Sequence, residues 1–377
     1  MAETSQPSNH SAPSLEEERV SPPTVAQLTW RRFRRSKLAI ISGVLLIIFY
    51  VVAIFAGFFA PYYVDTTHSK FPAVGPNVIR IRDTEGKFHA PFVYGYSSVL
   101  DMESYRRVFT IDTTVRYPVR FFAKGDEYTL IGSIKSDRHL FTVDEPGKVF
   151  LLGTDTLGRD LFSRVIYGGR ISLTVGLVGV FLSLVIGSLI GVMAGYYGGL
   201  FDNVSMRIVE VLLAFPQIPL WMALAAALPP NLDSVKVYFG ITVVLSFIGW
   251  GGLARQVRAK VLALRDSDFV MAARVSNCSD FRIIVRHLFP NTLSHVIVVA
   301  TLAIPGMILG ETTLSFLGLG IRPPMTSWGL LLSEAQATRV LLQQPWLLWP
   351  ILPVMVTAIA FNLLGDGLRD AADPFAI

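Results

Sequence analysis

Charged residues are scarce in this 377-residue chain, where they make up only 16% of the sequence. Soluble domains usually carry about a quarter of their residues charged. The shortage is local, because long stretches without any Asp, Glu, Lys or Arg alternate with charged stretches. A helix needs roughly 20 mainly apolar residues to cross a bilayer, so this pattern predicts a protein that spans the membrane several times.

Several chemical signatures are missing as well. Cys278 is the only cysteine, which excludes an intrachain disulfide and a metal site built from several cysteines. The chain lacks the Gly-x-x-x-x-Gly-Lys-Ser/Thr loop that cradles ATP phosphates. It also lacks the His-Glu-x-x-His and Gly-x-Ser-x-Gly motifs of metalloproteases and serine hydrolases. These absences predict a protein that is not an enzyme and holds no cofactor or metal of its own.

Acidic residues are rare inside the apolar runs, and Glu311 is the main exception. An ion-coupled carrier usually needs buried ionisable groups along its path, so a secondary transporter is the less favoured alternative. Glu311 is either a contact on a translocation path or outer gate, or an interfacial carboxylate hydrogen-bonded to Thr312 or Thr313. Pro305 and Gly306, in the same run, form either a gating hinge or a tolerated kink.

The apolar runs predict an all-α membrane protein with six transmembrane helices. The six runs cover residues 38–60, 171–201, 211–232, 237–254, 288–310 and 340–365. Glycines at 187, 191 and 195 recur at four-residue spacing within the second run, which favours close helix packing over a ligand site.

Basic residues indicate the orientation of these helices. The segment 30–37 carries five positive charges directly before the first run. The positive-inside rule places this segment, and with it the N-terminus, in the cytoplasm. Six helices return the C-terminus to the same side. The connection between the fourth and fifth runs is rich in arginine, and this scheme places it in the cytoplasm too.

The chain divides into four predicted regions. Residues 1–29 are polar and are expected to form a disordered cytoplasmic tail. Residues 30–61 form the basic segment and the first helix, and residues 151–377 form a core of five helices with a cytoplasmic loop at 266–290. Residues 62–150 lie between as an extracytoplasmic insert. Alternating residues with turn signals at 83–86 and 124–126 predict two β-hairpins there, although an irregular loop capping the bundle is the alternative.

The loop at 266–290 has the pattern of two short helices joined by a sharp turn. Asp266, Ser267 or Asp268 can cap the first helix, and Asn277 can adopt the left-handed conformation that ends it. Ser279 or Asp280 can cap the second helix, which Pro290 is expected to end. Small residues in the first helix allow another surface to approach closely. Either this pair binds a partner protein, or it lies on anionic lipid.

The same loop resembles the Glu-Ala-Ala coupling loop of permeases in ATP-binding-cassette (ABC) importers. Ala272 and Ala273 occupy the two Ala positions, and Pro290 closes the motif. Met271 stands where Glu is usual, and Asn277 stands where Gly is usual. The sequence 286–291 resembles the Arg-His-x-x-Pro-Asn variant found in peptide permeases.

This resemblance implies that the loop docks into a groove of a separate ATPase subunit. ATP and Mg²⁺ would then be bound by partner subunits and not by this chain. The residues expected to take part in coupling are Phe269, Met271, Ala272, Ala273, Arg274, Asn277, Arg286, His287 and Pro290. A bulky charged residue at position 273 is expected to uncouple transport from ATP hydrolysis.

Further segments resemble the oligopeptide and dipeptide permease family in the right order. Residues 30–61 resemble its N-terminal helix, and the other segments are 152–172, 194–199, 212–216, 311–320, 327–329 and 361–374. The pattern is similar to the C-type subunit, which pairs with a homologous B-type permease. The resemblance implies the type I ABC importer permease fold with a small β-containing insert.

The resemblance also implies partners, location and cargo. The expected partners are a second homologous permease, one or two cytoplasmic ATPase subunits, an extracytoplasmic substrate-binding protein and membrane lipid, with no nucleic acid. The expected location is the bacterial inner membrane. Peptides are the expected cargo, and nickel, opines or glutathione are alternatives in the same role.

Overall fold

The computed structural model describes residues 25–102, 106–130 and 134–372. The chain begins with helices α1 (Val25–Phe33), α2 (Lys37–Ile54) and α3 (Ala56–Phe59), and a β-containing insert follows. The remaining helices form a bundle. They are α4 (Leu161–Tyr197), α5 (Gly199–Ala214), α6 (Gln217–Ala226), α7 (Ser234–Leu264), α8 (Asp268–Val275), α9 (Asp280–Arg282), α10 (Phe289–Phe316), α11 (Trp328–Glu334), α12 (Thr338–Gln343) and α13 (Ile351–Ala372).

Five helical stretches of the described chain are long and apolar enough to cross a membrane. They are Lys37–Ile54, Leu161–Tyr197, Ser234–Leu264, Asp280–Phe316 and Pro345–Ala372. Helices α5 and α6 pass the same test together, although they are bent by 91°. Counted as one span, this pair brings the total to six and confirms the predicted helical membrane bundle.

The bundle has two chemically different ends. We call the end that carries the insert the insert end, and the end that carries residues 255–291 the basic end. Helix α4 runs from the first to the second, since its start packs near Ala56 and Ala60 and its last turns contact α8. Helix α1 begins at Val25, inside the predicted disordered tail, while residues 1–24 of that tail lie outside the described residues.

The third and fourth spans differ from the apolar runs that predicted them. The third run is interrupted at Phe215 and Pro216, because proline lacks the N–H that would continue the helix and restricts the residue before it. The fourth helix does not stop at Ala254 but continues to Leu264. Part of the predicted basic connection is therefore helical. Arg258 on this extension forms a two-point ion pair with Asp202.

Pro290 does not end a helix, contrary to the sequence-based expectation. The chain stays helical from Asp280 to Phe316, and a π-helical segment (Ile283–Leu288) lies directly before Pro290. The wider turn accommodates a proline that has no N–H to donate to the preceding turn. The side chain of Asn291 donates to the carbonyl of His287 at 2.6 Å, which satisfies one of the carbonyls near the irregular turn.

The described residues of the insert form six strands in two sheets, which confirms its predicted β content. Strands β1 (Arg80–Arg82), β2 (Phe88–Asp101), β3 (Arg106–Phe121) and β6 (Phe141–Val143) form an antiparallel sheet in that order. Strands β4 (Lys124–Leu130) and β5 (Ile134–Arg138) pair separately. The first predicted hairpin is present. The second is wrong, because the chain turns at Phe122, whose φ is 52°, and residues 124–126 start β4.

Buried charges hold the insert end together. The guanidinium of Arg164, which is 1% exposed, pairs with Asp155 at 2.8 Å and with Glu334 at 2.5 Å. Arg159 contacts the same two carboxylates at 2.7 and 3.3 Å. The network therefore joins the segment that follows the insert to α4 and to α11.

Helices α4 and α7 pack against each other along the glycine ridge at 187, 191 and 195. A Cβ atom at Gly191 would lie 2.5 Å from the carbonyl oxygen of Ala254, and one at Gly195 would lie 2.8 Å from Val261 Cβ. The residue numbers of the contact positions increase in the same direction along both helices, so α4 and α7 run parallel. The prediction of close helix packing at these glycines is confirmed.

Replacing Gly191 with alanine is expected to destabilise the bundle by about 1–3 kcal/mol, because the new methyl would overlap backbone that has no free space to move into. Thermal unfolding of the purified protein in mild detergent measures the effect. Gly251→Ala is the matched control, since its Cβ would meet Val209 at an ordinary 3.5 Å. Equal unfolding midpoints for the two variants would contradict the packing argument.

Candidate functional site: the basic-end loop and the central cavity

The basic-end loop (residues 266–290) forms the predicted pair of short helices. Ser267 and Ser279 stand at the two N-caps, without side-chain capping bonds. Helix α8 ends in a Schellman turn, in which Cys278 N donates to Ala273 O at 3.0 Å and Asn277 N donates to Arg274 O at 2.9 Å. Asn277 has a φ of 55°, so it adopts the left-handed conformation that the sequence predicted.

Substitutions at position 277 should therefore separate by backbone preference. Asn277→Gly is expected to preserve the turn, because glycine adopts positive φ without steric cost. Asn277→Val is expected to destabilise the loop by about 1–2 kcal/mol, because a β-branched residue clashes in this conformation. Limited proteolysis of the purified variants would report the difference as faster cleavage in 266–290. Equal cleavage of the two variants would argue against a turn that depends on residue 277.

Buried side chains seat this loop on the basic ends of three long helices. Val270 and Ala273 from α8, with Ile283 from the second helix, pack into a cluster with Tyr196 at the end of α4 and Val261 near the end of α7. This arrangement couples the position of the loop to the positions of the long helices.

Polar contacts reinforce the same seat. The hydroxyl of Tyr196 donates to Asp280 Oδ1 at 2.7 Å. The guanidinium carbon of Arg274 lies 5.4 Å from the centre of the Tyr196 ring, within the range of a cation–π contact. Tyr196 thus touches both short helices of the loop, and a shift of α4 would carry both with it.

The outer surface of the loop carries several exposed apolar side chains. Val275 is 87% exposed and Phe281 is 75% exposed, and Phe269 and Met271 also lie at the surface. Ala272 is exposed, whereas Ala273 is 7% exposed and belongs to the seat. Ala273 therefore does not share the exposed face of Phe269 and Ala272, because helix geometry turns 270 and 273 inward. In the second helix Phe281 likewise faces outward, whereas Ile283 is buried in the seat.

The other predicted coupling residues lie on or near the same surface. Arg274, Asn277, Arg286 and Pro290 are exposed, and His287 is half-buried. The structure brings these residues together with Phe269, Met271 and Ala272 at one end of the bundle. We call this exposed part of the loop, 269–286 without its buried positions, the knob.

A cavity of about 360 Å³ opens between four helices near the middle of the bundle. Its walls come from α4, α6, α7 and α10, and Gly249 lies midway along α7. The lining residues are Val180, Ser183, Gln217, Trp221, Gly249, Gly252, Leu253, Gln256, Val299, Leu302, Ala303, Gly306 and Met307. They include no charged side chain.

The structure separates the three residues that the sequence connected with the path. Gly306 lines the cavity, and Pro305 lies buried beside it inside an unbroken α10. Glu311 is fully buried and does not line the cavity. It accepts hydrogen bonds from Ser172 at 2.9 Å and from Ser315 at 2.7 Å.

The expected partners of Glu311 were wrong. Thr313 donates to the carbonyl of Leu309 instead, and Ser172 accepts from the backbone N–H of Trp328 at 3.1 Å. Glu311 thus joins α10 to α4 and α11, close to the insert end. Of the two serines that satisfy this carboxylate, Ser315 lies one helical turn away and Ser172 comes from a distant position in the chain.

Comparison with known families gives the site its context. The profile described as "Binding-protein-dependent transport system inner membrane component" matches residues 187–376, which include the knob and most of the cavity wall. The chain belongs to this family. A second profile, the N-terminal transmembrane domain of oligopeptide transport permease C, matches residues 24–76.

Individual relatives of this permease cover most of its length. The oligopeptide transport system permease protein OppC of Haemophilus influenzae is 45% identical over 59% of this chain and 69% of its own. The dipeptide transport system permease protein DppC of Bacillus subtilis is 42% identical over 59% and 68%. The glutathione transport system permease protein GsiD of Escherichia coli is 35% identical over 92% and 89%.

Among solved structures, an inward-facing MetNI methionine ABC transporter contains a similar chain. It is 19% identical, with a TM-score of 0.42 over 55% of this permease and 96% of that chain. The fold is therefore assigned from the family match and not from this TM-score.

Sequence reasoning missed the polar residues of the cavity. Gln217 follows the interrupting Pro216, and Gln256 lies in what the charge pattern marked as a cytoplasmic connection. An uncharged polar residue beside a proline in an apolar run was the available signal for Gln217. No sequence signal was available for Gln256, because this residue reaches the cavity wall only through the extension of α7 beyond the predicted apolar run.

Proposed function

We propose that this permease forms half of the translocation path of an ATP-driven peptide importer. Membership of the binding-protein-dependent family supports the transport role, and relatives named for oligopeptide and dipeptide transport support the cargo. The single observation that carries the mechanism is the knob, which is exposed outside the bundle yet seated on helices that also form the cavity wall.

In this mechanism the chain makes and breaks no covalent bond. ATP and Mg²⁺ are bound by one or two separate ATPase subunits, and the knob docks into a groove of such a subunit. Because Tyr196 and Val261 connect the knob to α4 and α7, movement of the ATPase subunits tilts these helices and alternates access to the cavity. A second, homologous permease completes the path, and an extracytoplasmic binding protein delivers the peptide.

The same proposal fixes the orientation. The basic end and both termini face the cytoplasm, and the insert faces outward from the inner membrane, where it can meet the binding protein. The five positive charges of residues 30–37 and the arginines of the basic end support this orientation through the positive-inside rule.

Glutathione transport is a second candidate within the same role. The E. coli relative named for it aligns over 92% of this chain, more than the aligned share of the oligopeptide and dipeptide permeases described above. Glutathione is itself a small peptide with one unusual amide linkage. Competition of unlabelled glutathione against a labelled dipeptide in transport assays separates the two cargoes.

The deciding experiment is purification of the tagged permease from its native membranes in mild detergent, followed by mass spectrometry of the bound chains. We expect a homologous permease and one or two ATPase subunits, and ATP-dependent peptide uptake after reconstitution with the binding protein. Uptake by the chain alone on an ion gradient, without ATPase subunits, would contradict the proposal and favour a secondary transporter.

A further inference from the structure

Several residues that line the central cavity carry uncharged hydrogen-bonding groups without a partner in the described part of the chain. Trp221 is 7% exposed, and its indole Nε1 makes no hydrogen bond in the described part of the chain. The far edge of its ring, Cζ3 and Cη2, lies beside Gly310, and the residue lines the cavity. The side-chain amides of Gln217 and Gln256 line the same cavity, again without a partner among the described residues.

The interruption of the third span adds further donors. Helix α6 begins at Gln217, directly after the 91° bend, and its first backbone hydrogen bond runs from Leu220 N to Pro216 O. The N–H groups of Gln217 and Ile218 therefore have no partner within the helix. In transporters with broken helices, such groups contact the bound solute.

The opposite walls leave room for an extended chain. A Cβ atom at Gly252 or at Gly306 would meet nothing within 4 Å, so both helices expose bare backbone to open space. Gly249, one turn before Gly252 on α7, is packed instead, since a Cβ atom there would lie 2.4 Å from Met307 Cε. The cavity thus reaches the backbones of α7 and α10 at two points.

We propose that this cavity binds the main-chain amides of a peptide in transit through Gln217, Trp221 and Gln256. The proposal rests on the proposed function and adds a substrate-contacting site to it. Glutamine both donates and accepts hydrogen bonds, so it matches a peptide N–H and C=O together, and the indole N–H matches a C=O. No cation or carboxylate from residues 25–102, 106–130 or 134–372 lines the cavity, which favours amides over charged side chains or termini.

Recognition through the main chain has a direct consequence for selectivity. Every peptide carries the same amide groups, so a site that contacts only these groups admits peptides of different sequence. Selection among side chains is then left to the binding protein. Removing one of the three polar groups should lower transport by a similar factor for all peptide sequences.

The test uses the complete transporter in proteoliposomes, with its binding protein and ATP, and two substitutions that retain side-chain bulk. Gln256→Met and Trp221→Phe are each expected to lower uptake of tetra-alanine about three- to tenfold, the usual effect of one hydrogen bond. The same factor is expected for tetrapeptides with acidic, basic or aromatic side chains. Trp349→Phe is the matched control, because Trp349 is exposed and lies outside the cavity.

A second arm identifies the main chain as the contacted group. Each amide of tetra-alanine is replaced in turn by an ester, which removes one N–H donor. In the wild-type transporter at least one ester should reduce uptake, and the same ester should cause no further loss in Gln256→Met. Weaker delivery of the ester by the binding protein is common to both transporters and cancels in this cycle.

Additive losses at every position, or variants that transport like the wild type, would overturn the inference and leave the importer function intact. A wild-type transporter that takes up no peptide at all would instead remove the proposed function, and the inference with it. Unchanged unfolding midpoints of the variants would exclude a general structural effect as the cause of a lowered uptake.

Discussion

Replacing Arg164 with glutamine is expected to destabilise this permease by about 3–5 kcal/mol. The guanidinium is 1% exposed and pairs with Asp155 and Glu334, so its removal leaves carboxylates in a buried site without their full compensation. Breaking a buried ion pair from one side costs far more than the pair itself contributes, because the remaining charge stays desolvated. The expected result is a strongly reduced amount of folded protein and a lower unfolding midpoint in detergent.

Two further variants make this prediction specific. Arg207→Gln also breaks an arginine–carboxylate pair, with Glu210, but both side chains are exposed and the expected cost is below about 1 kcal/mol. Arg164→Lys keeps the charge but not the planar two-point geometry, so partial rescue is expected. If Arg164→Gln were as stable as Arg207→Gln, the buried network would not be what fixes α11 to α4.

Replacing Ala272 with glutamate should abolish productive contact with the ATPase subunits. Ala272 is exposed on α8 among apolar side chains, and a charge there would have to be buried without a partner in the proposed groove. Loss of about 2 kcal/mol at such a contact corresponds to roughly thirtyfold weaker binding. Co-purification of the ATPase subunits measures the loss, and ATP-dependent uptake should fall with it.

The controls exploit the two faces of α8. Ala273→Glu places the same charge in the buried seat, so it should destabilise the loop itself and lower the unfolding midpoint. Ala263→Glu, at an exposed position in the last turn of α7, should retain the ATPase subunits. Normal co-purification and uptake by a stably folded Ala272→Glu variant would show that the knob is not the docking surface.

The contrast between Ala272 and Ala273 shows how far the motif alone could lead. The sequence located the loop and its turn correctly, because the left-handed conformation at Asn277 is a local preference of that residue. It could not decide which alanine faces outward, since that depends on where α4 and α7 end. The bulky substitution first expected to uncouple transport, at position 273, would disturb the seat instead.

The sequence by itself determined the class of this protein. The apolar runs are long enough to span a bilayer. Inside the bilayer the backbone N–H and C=O groups must bond to each other, which a helix achieves within a single segment. The helical membrane bundle therefore follows from composition and local hydrogen bonding. The glycine ridge at 187, 191 and 195 and the β content of the insert also followed, because small-residue spacing and residue alternation are properties of a single segment. The family resemblance supplied the transport role in the same way.

Only the tertiary structure decided which residues meet. Arg164 and Glu334 are far apart in the chain, as are Glu311 and Ser172, and no local pattern pairs them. The polar cavity likewise depends on four helices converging, with Gln217 brought into place by a 91° bend and Gln256 by the length of α7. Buried charges and amides must be satisfied by whatever packing places beside them, and that neighbourhood is fixed only when the whole bundle has formed.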